Sequence, residues 1–423
     1  VRILVLSHYF WPEPIPKPLE LAEALRDAGH SVEIVTGFPN YPDGNLYPGF
    51  RLRLVRRETV SGFPVIRTFM YPSHGTSRIG RLLNYGSFML SAVAGGLLAR
   101  RFDVIYVWHP PLSIGVAAAA IGRLRRRAFV YDVQDIWPES ALATGFLRPG
   151  RLFEWMTRME RFVYGRAGHL FVVTEGAKKN LTAKGVPAAK ITVAPHWFDD
   201  GGMQRVGESD RADVRRREGW DPRFVVMFAG NMGVLQGLDT VLRACVQLPR
   251  AGKILIAMVG DGSDLPRLKE LARELDLGER ITFVPRQSAA DMARYFSAAD
   301  ALLVHLKASP LAPLIIPSKT IAYLAAAKPI VMAGTGASAD IVSAAGAGIV
   351  VPPGDAAALA RAMLQIAGTE AGDRAQMGRR GRRYFETHFT KEVTLPVYMS
   401  VLERCCFRSR AKGEPQRHKE HGG

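Results

Sequence analysis

The chain has 423 residues, 48% of them hydrophobic and 22% charged. These proportions exclude a mostly disordered protein, and the length exceeds what one ordinary core organises, so two domains are expected. Three cysteines, Cys245 and the adjacent Cys405 and Cys406, form neither a disulfide framework nor a metal-binding spacing, and with no secretory leader ahead of the first strand they suit a reducing cytosol. The formal net charge of +17 is spread evenly, with net +9 in residues 1–200 and +8 in the remainder. Such charge is compatible with nucleic acid, an anionic membrane surface, anionic substrates or a merely arginine-rich composition.

Arg2 to Leu6 reads as a first strand. The loop Ser7 to Pro18 carries four prolines and is not helical throughout, and a helix from Leu19 to Ala28 ends at Gly29. A second strand runs from Ser31 to Thr36, and the turn-rich Phe38 to Pro48 lies at its end. Strand, loop, helix and strand in this order open a doubly wound parallel sheet, whose ligands sit at the carboxyl ends of the strands. Leu82 to Ala99 is a mostly apolar helix flanked by Arg78, Arg81, Arg100 and Arg101. It is barely long enough to span a bilayer, and its polar residues and central glycines point instead to a core helix or one lying on a membrane surface.

Further strands are expected at Asp103 to Trp108, Phe129 to Val133, 169–174 and Ile191 to Ala194, with helices at Leu112 to Leu124, 151–167 and Glu175 to Lys184. Pro195 to Asp200 looks like a domain edge, and 199–223 reads as a polar linker. A second α/β set has strands near 225–229, 254–259, 281–284, 301–304, 329–332 and 348–351, then helices at 356–367 and about 373–386. The expected organisation is a first domain over 1–198, a linker over 199–223 and a second domain over 224–386. A C-terminal helix over 387–407 and a disordered basic tail over 408–423 complete it.

The stretch Val225 to Asp239 is the focus of the second set. It reads as a buried strand, a glycine turn and a helix opening near Gln236. Glycines let backbone approach a ligand closely, and free N–H groups at a helix start attract anions, so a phosphate is the natural guest.

Eight segments in order carry a resemblance: HYFWPEP (8–14), AGHSVEIVTGFPNYPDG (28–44), DVIYVWHPPLSIG (103–115), DVQDIWPES (132–140), AGNMGVLQGLD (229–239), VGDGSD (259–264), IPSKTIAYLAAAKPIV (316–331) and AGAGIVVPPGD (345–355). Together they resemble the family 4 glycosyltransferases, in the bacterial surface-polysaccharide branch of colanic-acid and fucosamine-type transferases, over roughly residues 2–400. The resemblance implies a GT-B fold of two Rossmann-like domains. It implies a retaining, nucleotide-sugar-dependent reaction with the donor on the second domain and the acceptor on the first, facing across a cleft. It also implies a C-terminal helix that returns to the first domain.

On that alignment Gly230, Asn231, Gly233 and Gln236 form the phosphate turn, and Ser318 and Lys319 open a helix where a cation neutralises the departing diphosphate. Lys307 is a second cationic candidate, Arg286 stands where relatives often contact the base, and Asp340 stands where relatives often have an acid near the nucleotide. Glu13 and Lys17 in the first loop and Tyr41 after the second strand are acceptor-side candidates. Asp135, Glu139 and His109, at strand ends, are candidates to take the acceptor proton. The sequence departs from the pattern twice. Relatives often place Arg or Lys in the turn where this chain has Val234, Leu235 and Gln236. Two glutamates eight apart that hold donor sugar and ribose are here Leu314 and Ala322.

No Asp-x-Asp occurs, so no metal or other cofactor is expected beyond the nucleotide-sugar, taken as a UDP- or GDP-sugar. The expected partners are a lipid-linked saccharide acceptor and an anionic membrane surface at the cytoplasmic face, and not nucleic acid. A non-hydrolysing nucleotide-sugar epimerase is the alternative on the same fold, distinguished by products formed from donor alone. A basic nucleic-acid-binding protein would explain the charge but not the ordered motifs.

Overall fold

The computed structural model describes residues 1–73, 78–143, 147–249 and 253–411. By its internal contacts the chain divides into two compact units, one of Val1–Ala194 with Leu395–Gly423 and one of Pro195–Thr394.

The first unit is built on eight strands: β1 (Arg2–Ser7), β2 (Ser31–Thr36), β3 (Val55–Val60), β4 (Phe63–Thr68), β5 (Val104–Trp108), β6 (Ala128–Val133), β7 (His169–Val172) and β8 (Ile191–Val193). Their order is β3-β4-β2-β1-β5-β6-β7-β8, and every neighbouring pair is parallel except β3 with β4. Residues Val104 to Trp108 are all buried, as both faces of a parallel sheet require. The hairpin β3–β4 is an addition to the expected strands. Its sequence, VRRETV before Ser61-Gly62, alternates charge with apolar residues only weakly, because β3 is a half-exposed edge strand.

The second unit has β9 (Phe224–Ala229), β10 (Ile254–Val259), β11 (Ile281–Val284), β12 (Ala301–His305), β13 (Ile330–Ala333) and β14 (Gly348–Val351), all parallel, in the order β11-β10-β9-β12-β13-β14. Alternate residues of β9 feed two separate cores. Val225, Met227 and Ala229 pack on one face, and Val226 and Phe228 on the other. The order reverses at β9, whose neighbours β10 and β12 lead away in opposite directions. This is the switch point at which such sheets bind ligands.

Three expectations need correction. Residues 199–223 are not a linker: Glu208–Glu218 is a helix of the second unit, and Trp220 is fully buried. Its polarity hid it, because among its described residues the buried ones are Val214, Arg215 and Trp220. The buried Arg215 guanidinium meets Asp221 at 2.5 Å, Asp300 at 3.1 Å and the carbonyls of Ala298 and Arg223 at 2.9 and 2.6 Å. The helix expected near Gln236 opens at Asp239, after a single 3-10 turn over Val234–Gln236. The last helix spans Lys391–Ala411, so it covers the start of the expected tail, and 412–423 lie outside the described residues.

Arg215→Ala leaves Asp300 with one guanidinium fewer and two carbonyls without a donor. Urea denaturation should record a loss of about 3 kcal/mol, the scale of a broken buried ion pair. Arg216→Ala, on the exposed face, should change stability by less than about 0.5 kcal/mol. Equal small effects would restore the linker description.

Candidate functional site

In the second unit a cavity of about 790 Å³ opens at the carboxyl ends of β9, β10 and β11 and at the start of the helix Ser318–Ala325. Two glycine turns make its floor possible. Gly230 follows β9 with φ +130°, and Gly260 follows β10 with φ +139°. A Cβ on Gly260 would lie 2.1 Å from the Gly230 carbonyl oxygen, so a side chain there is sterically forbidden and the two backbones touch. Met232 N–H donates to the Asp261 carbonyl at 2.7 Å and Asp264 N–H to the Met232 carbonyl at 3.0 Å, which joins the turns further.

Lys319 is the electrostatic centre. It stands in the first turn of a helix capped by Pro317, whose backbone is extended (φ −57°, ψ 132°), and there N–H groups remain free of intrahelical partners. Its Nζ lies 4.0 Å from the centroid of the Phe228 ring and donates to Gln236 Oε1 at 2.5 Å. Burial without a carboxylate beside it pulls the ammonium down to about 7. Gln236 is held in turn by His305, whose Nδ1 lies 2.6 Å from the Gln236 carbonyl. Burial lowers that imidazole, so it is neutral and donates through Nδ1–H. Tyr323 closes the cavity wall: its hydroxyl accepts from Ala229 N–H at 2.7 Å and donates to the Ala229 carbonyl at 3.1 Å.

Of the donor-side candidates, Gly230, Asn231, Gln236, Arg286, Ser318 and Lys319 line this one cavity. Gly233, Lys307 and Asp340 do not. Gly233 precedes the 3-10 turn, Lys307 is exposed just past β12, and Asp340 is exposed in the first turn of the helix Ala337–Ala345. Sequence reasoning gave no role to Asp261, Gln287, Phe198, Phe296 or Tyr323, which also line it. Asp261 and Gln287 had a usable signal, since each lies just past a strand at the same sheet edge. Phe198 and Phe296 had none, because they reach the cavity from distant parts of the chain. Ala322, at one of the two positions where relatives carry glutamate, faces the cavity with no polar atom.

At the carboxyl edge of the first unit most charged side chains are committed to holding loops. Glu13 is buried and accepts backbone N–H bonds from Phe10, Asn40 and Tyr41, each at 2.9 Å, tying the first loop to the second. Lys17 pairs with Glu20 at 3.0 Å, and the Tyr41 ring packs against Tyr9. Glu139 pairs with Lys184 at 2.6 Å, and the fully buried Glu160 meets the same ammonium at 2.7 Å. His109 is buried against Tyr131, and desolvation pulls its imidazole down to about 3. Asp135 differs: its carboxylate has no hydrogen-bond or ion-pair partner among the described residues, and desolvation raises its pKa. Asp132, which sequence reasoning passed over, is a buried carboxyl raised to about 7 that accepts from the Tyr106 hydroxyl at 2.5 Å.

Residues 17–197 match the family described as Glycosyl transferase 4-like domain, and residues 210–384 match Glycosyl transferases group 1. The chain is 26% identical over 318 residues to the putative colanic acid biosynthesis glycosyl transferase WcaI of Escherichia coli (strain K12), covering 72% of this chain and 76% of that one. It is 27% identical over 307 residues to the probable glycosyltransferase WbjE of Pseudomonas aeruginosa, covering 72% and 75%. Among solved structures, Anabaena Alr3699/HepE in complex with UDP superposes with a TM-score of 0.72 at 17% identity, over 96% of this chain and 100% of that one.

The Lys319 ammonium titrates near pH 7 in the fold and near its ordinary value when unfolded, so the unfolded chain binds the extra proton between about pH 7 and 10 and stability rises with pH across that window. Wild type should gain about 2 kcal/mol between pH 7 and 9, at about 1.4 kcal/mol per pH unit where only the unfolded state is protonated. Lys319→Met should lack this gain in parallel denaturant titrations, and matching slopes for the two proteins would refute the buried-ammonium description.

Proposed function

Because the chain belongs to the family 4 glycosyltransferases and has their GT-B fold, we propose that it moves a sugar from a nucleoside-diphosphate donor, with retention, onto a lipid-linked saccharide. The observation that carries the donor half of this reading is Lys319, a buried ammonium without a carboxylate, set beside the Gly230 turn and a helix start. A diphosphate supplies the missing counter-charge there. As the bond from the anomeric carbon to the diphosphate oxygen breaks, negative charge grows on that oxygen, and the desolvated Lys319 cation stabilises it more than it stabilises the intact donor. The acceptor oxygen bonds to the same face of the sugar. Asp135 is the carboxylate that takes its proton, because it alone of the three candidates is neither paired with a cation, as Glu139 is, nor closed off by burial, as His109 is.

Arg286 and Gln287, past the end of β11, bind the base, and Asp261 and Asn231 take over hydroxyl contacts that Leu314 and Ala322 do not make. Protein cations and N–H groups, rather than a metal ion, neutralise the diphosphate. The fold's likeness to a UDP-bound structure supports a uridine donor, with guanosine the other base expected, and the kinship to a putative colanic-acid transferase supports an acceptor in surface-polysaccharide synthesis. Among the described residues no helix is long and apolar enough to cross a membrane. The helix Arg78–Leu98 instead presents Ile79, Leu82, Leu83, Leu90 and Leu97 outward, with Arg100 and Arg101 exposed beyond its end. That stripe rests on the cytoplasmic face of an anionic bilayer, where each arginine contributes about 1 kcal/mol.

Calorimetry should find UDP or GDP bound by wild type, and Lys319→Ala should weaken it at least tenfold, or about 1.4 kcal/mol. No binding of either nucleotide would sink the donor assignment. The anion also restores the lysine's proton. Affinity should therefore fall about tenfold per pH unit above pH 7. Lys319→Arg, always charged, should flatten that dependence.

A further inference from the structure

The first unit contains a separate cavity, of about 570 Å³, lined by Gly49, Phe50, Arg51, Arg53 and Arg56. Its position follows from strand polarity. β3 is antiparallel to β4, with Val55 opposite Thr68, so the chain enters β3 where the parallel strands end. The segment ahead of β3 thus belongs to the sheet edge that also carries Tyr41, His109 and Asp135.

The charges there are in excess. Residues 51–67 hold five arginines, Arg51, Arg53, Arg56, Arg57 and Arg67, against one carboxylate, Glu58. Glu58 is shared: one oxygen lies 3.0 Å from Arg56 Nε and the other 2.5 Å from Nε of the buried Arg67. Both guanidiniums also lie over the Phe50 ring, at 5.3 and 5.0 Å from its centroid, which fixes their planes. Arg51 and Arg53 are exposed and have no carboxylate partner among the described residues. Clustered guanidiniums repel one another unless an anion joins them, and their planar forks match phosphate oxygens. Apolar side chains alternate with these arginines. Leu52 is 37% exposed, and Leu54, at 80%, is the most exposed large apolar side chain among the described residues. Leaving such surface in water is unfavourable unless an apolar partner covers it.

One ligand class satisfies both features, a phosphate group attached to an apolar chain. We propose that Arg51, Arg53 and Arg56 form a subsite for the phosphate of a lipid, with Leu52 and Leu54 against its hydrocarbon. This deepens the lipid-linked acceptor reading and rests on it for one of two sources, the acceptor's own phosphate. The other source is the headgroup of a bilayer phospholipid.

The test compares the full chain carrying Lys319→Met, which silences the second unit's cavity, with the same protein bearing Arg51→Ala and Arg53→Ala. Both arginines are exposed, so circular dichroism and melting should be unchanged. Farnesyl diphosphate titrated by calorimetry should bind at least tenfold more weakly to the arginine-depleted protein if the acceptor's phosphate is the guest. Sedimentation with phosphatidylcholine vesicles containing about 30 mol% phosphatidylglycerol should fall at least fivefold if the bilayer headgroup is the guest. Either loss supports the subsite and names its source. Unchanged binding in both assays overturns it. UDP titrated into the protein with Lys319 intact is the independent arm: if UDP fails to bind while the arginine effect persists, the donor assignment falls and the lipid-phosphate subsite stands.

Discussion

The contact between the Lys319 ammonium, the Phe228 ring and the Gln236 amide sets the terms for the second unit. A buried cation without a counter-ion is unfavourable, and the surrounding structure holds it in place. His305 fixes the turn that carries Gln236, and Tyr323 fixes the strand end that carries Gly230. The cavity is therefore built around a missing negative charge. The glycine turns serve the same end, since Gly230 and Gly260 bring two backbones into contact and leave the cavity floor free of side chains beside the lysine.

The first unit handles charge in the opposite manner. The carboxyl groups near its sheet's carboxyl edge mostly have at least one partner that ties down a loop or helix. Glu13 gathers three N–H groups from two loops, Glu139 and Glu160 share Lys184, and Asp132 accepts from Tyr106. Asp135 remains uncommitted on a loop pinned by its neighbours. A carboxylate without a partner, held on a loop whose neighbours are tied down, suits the proton-accepting role proposed for Asp135.

Much of this was legible in the sequence. Strands buried on both faces announce themselves as short apolar runs, and all six strands of the second unit fell where such runs predicted. Lys319, Ser318 and the Gly230 turn were legible because helix starts and glycine turns have local signatures. Elements that depend on a few inward residues were not legible. The helix Glu208–Glu218 turns Val214 and Arg215 inward and otherwise reads as solvent-exposed charge, and β3 reads as a basic loop because one of its edges has no neighbour. Pairings across long sequence distances were equally hidden: nothing near Glu139 points to Lys184, so a paired glutamate and an available one look alike in the chain.

The edge position of β3 has a further consequence, for handling the protein rather than for its chemistry. An open strand edge is a template on which another chain can add by backbone pairing, and bulky like charges are one of the few ways to blunt it. Arg56 and Arg57 supply that protection at the antiparallel margin of an eight-stranded sheet. Replacing them with apolar or β-branched residues would expose a self-complementary ribbon and turn the chain into a seed for precipitation. Arg56, a member of the proposed phosphate subsite, thus also helps keep this margin from recruiting copies of itself.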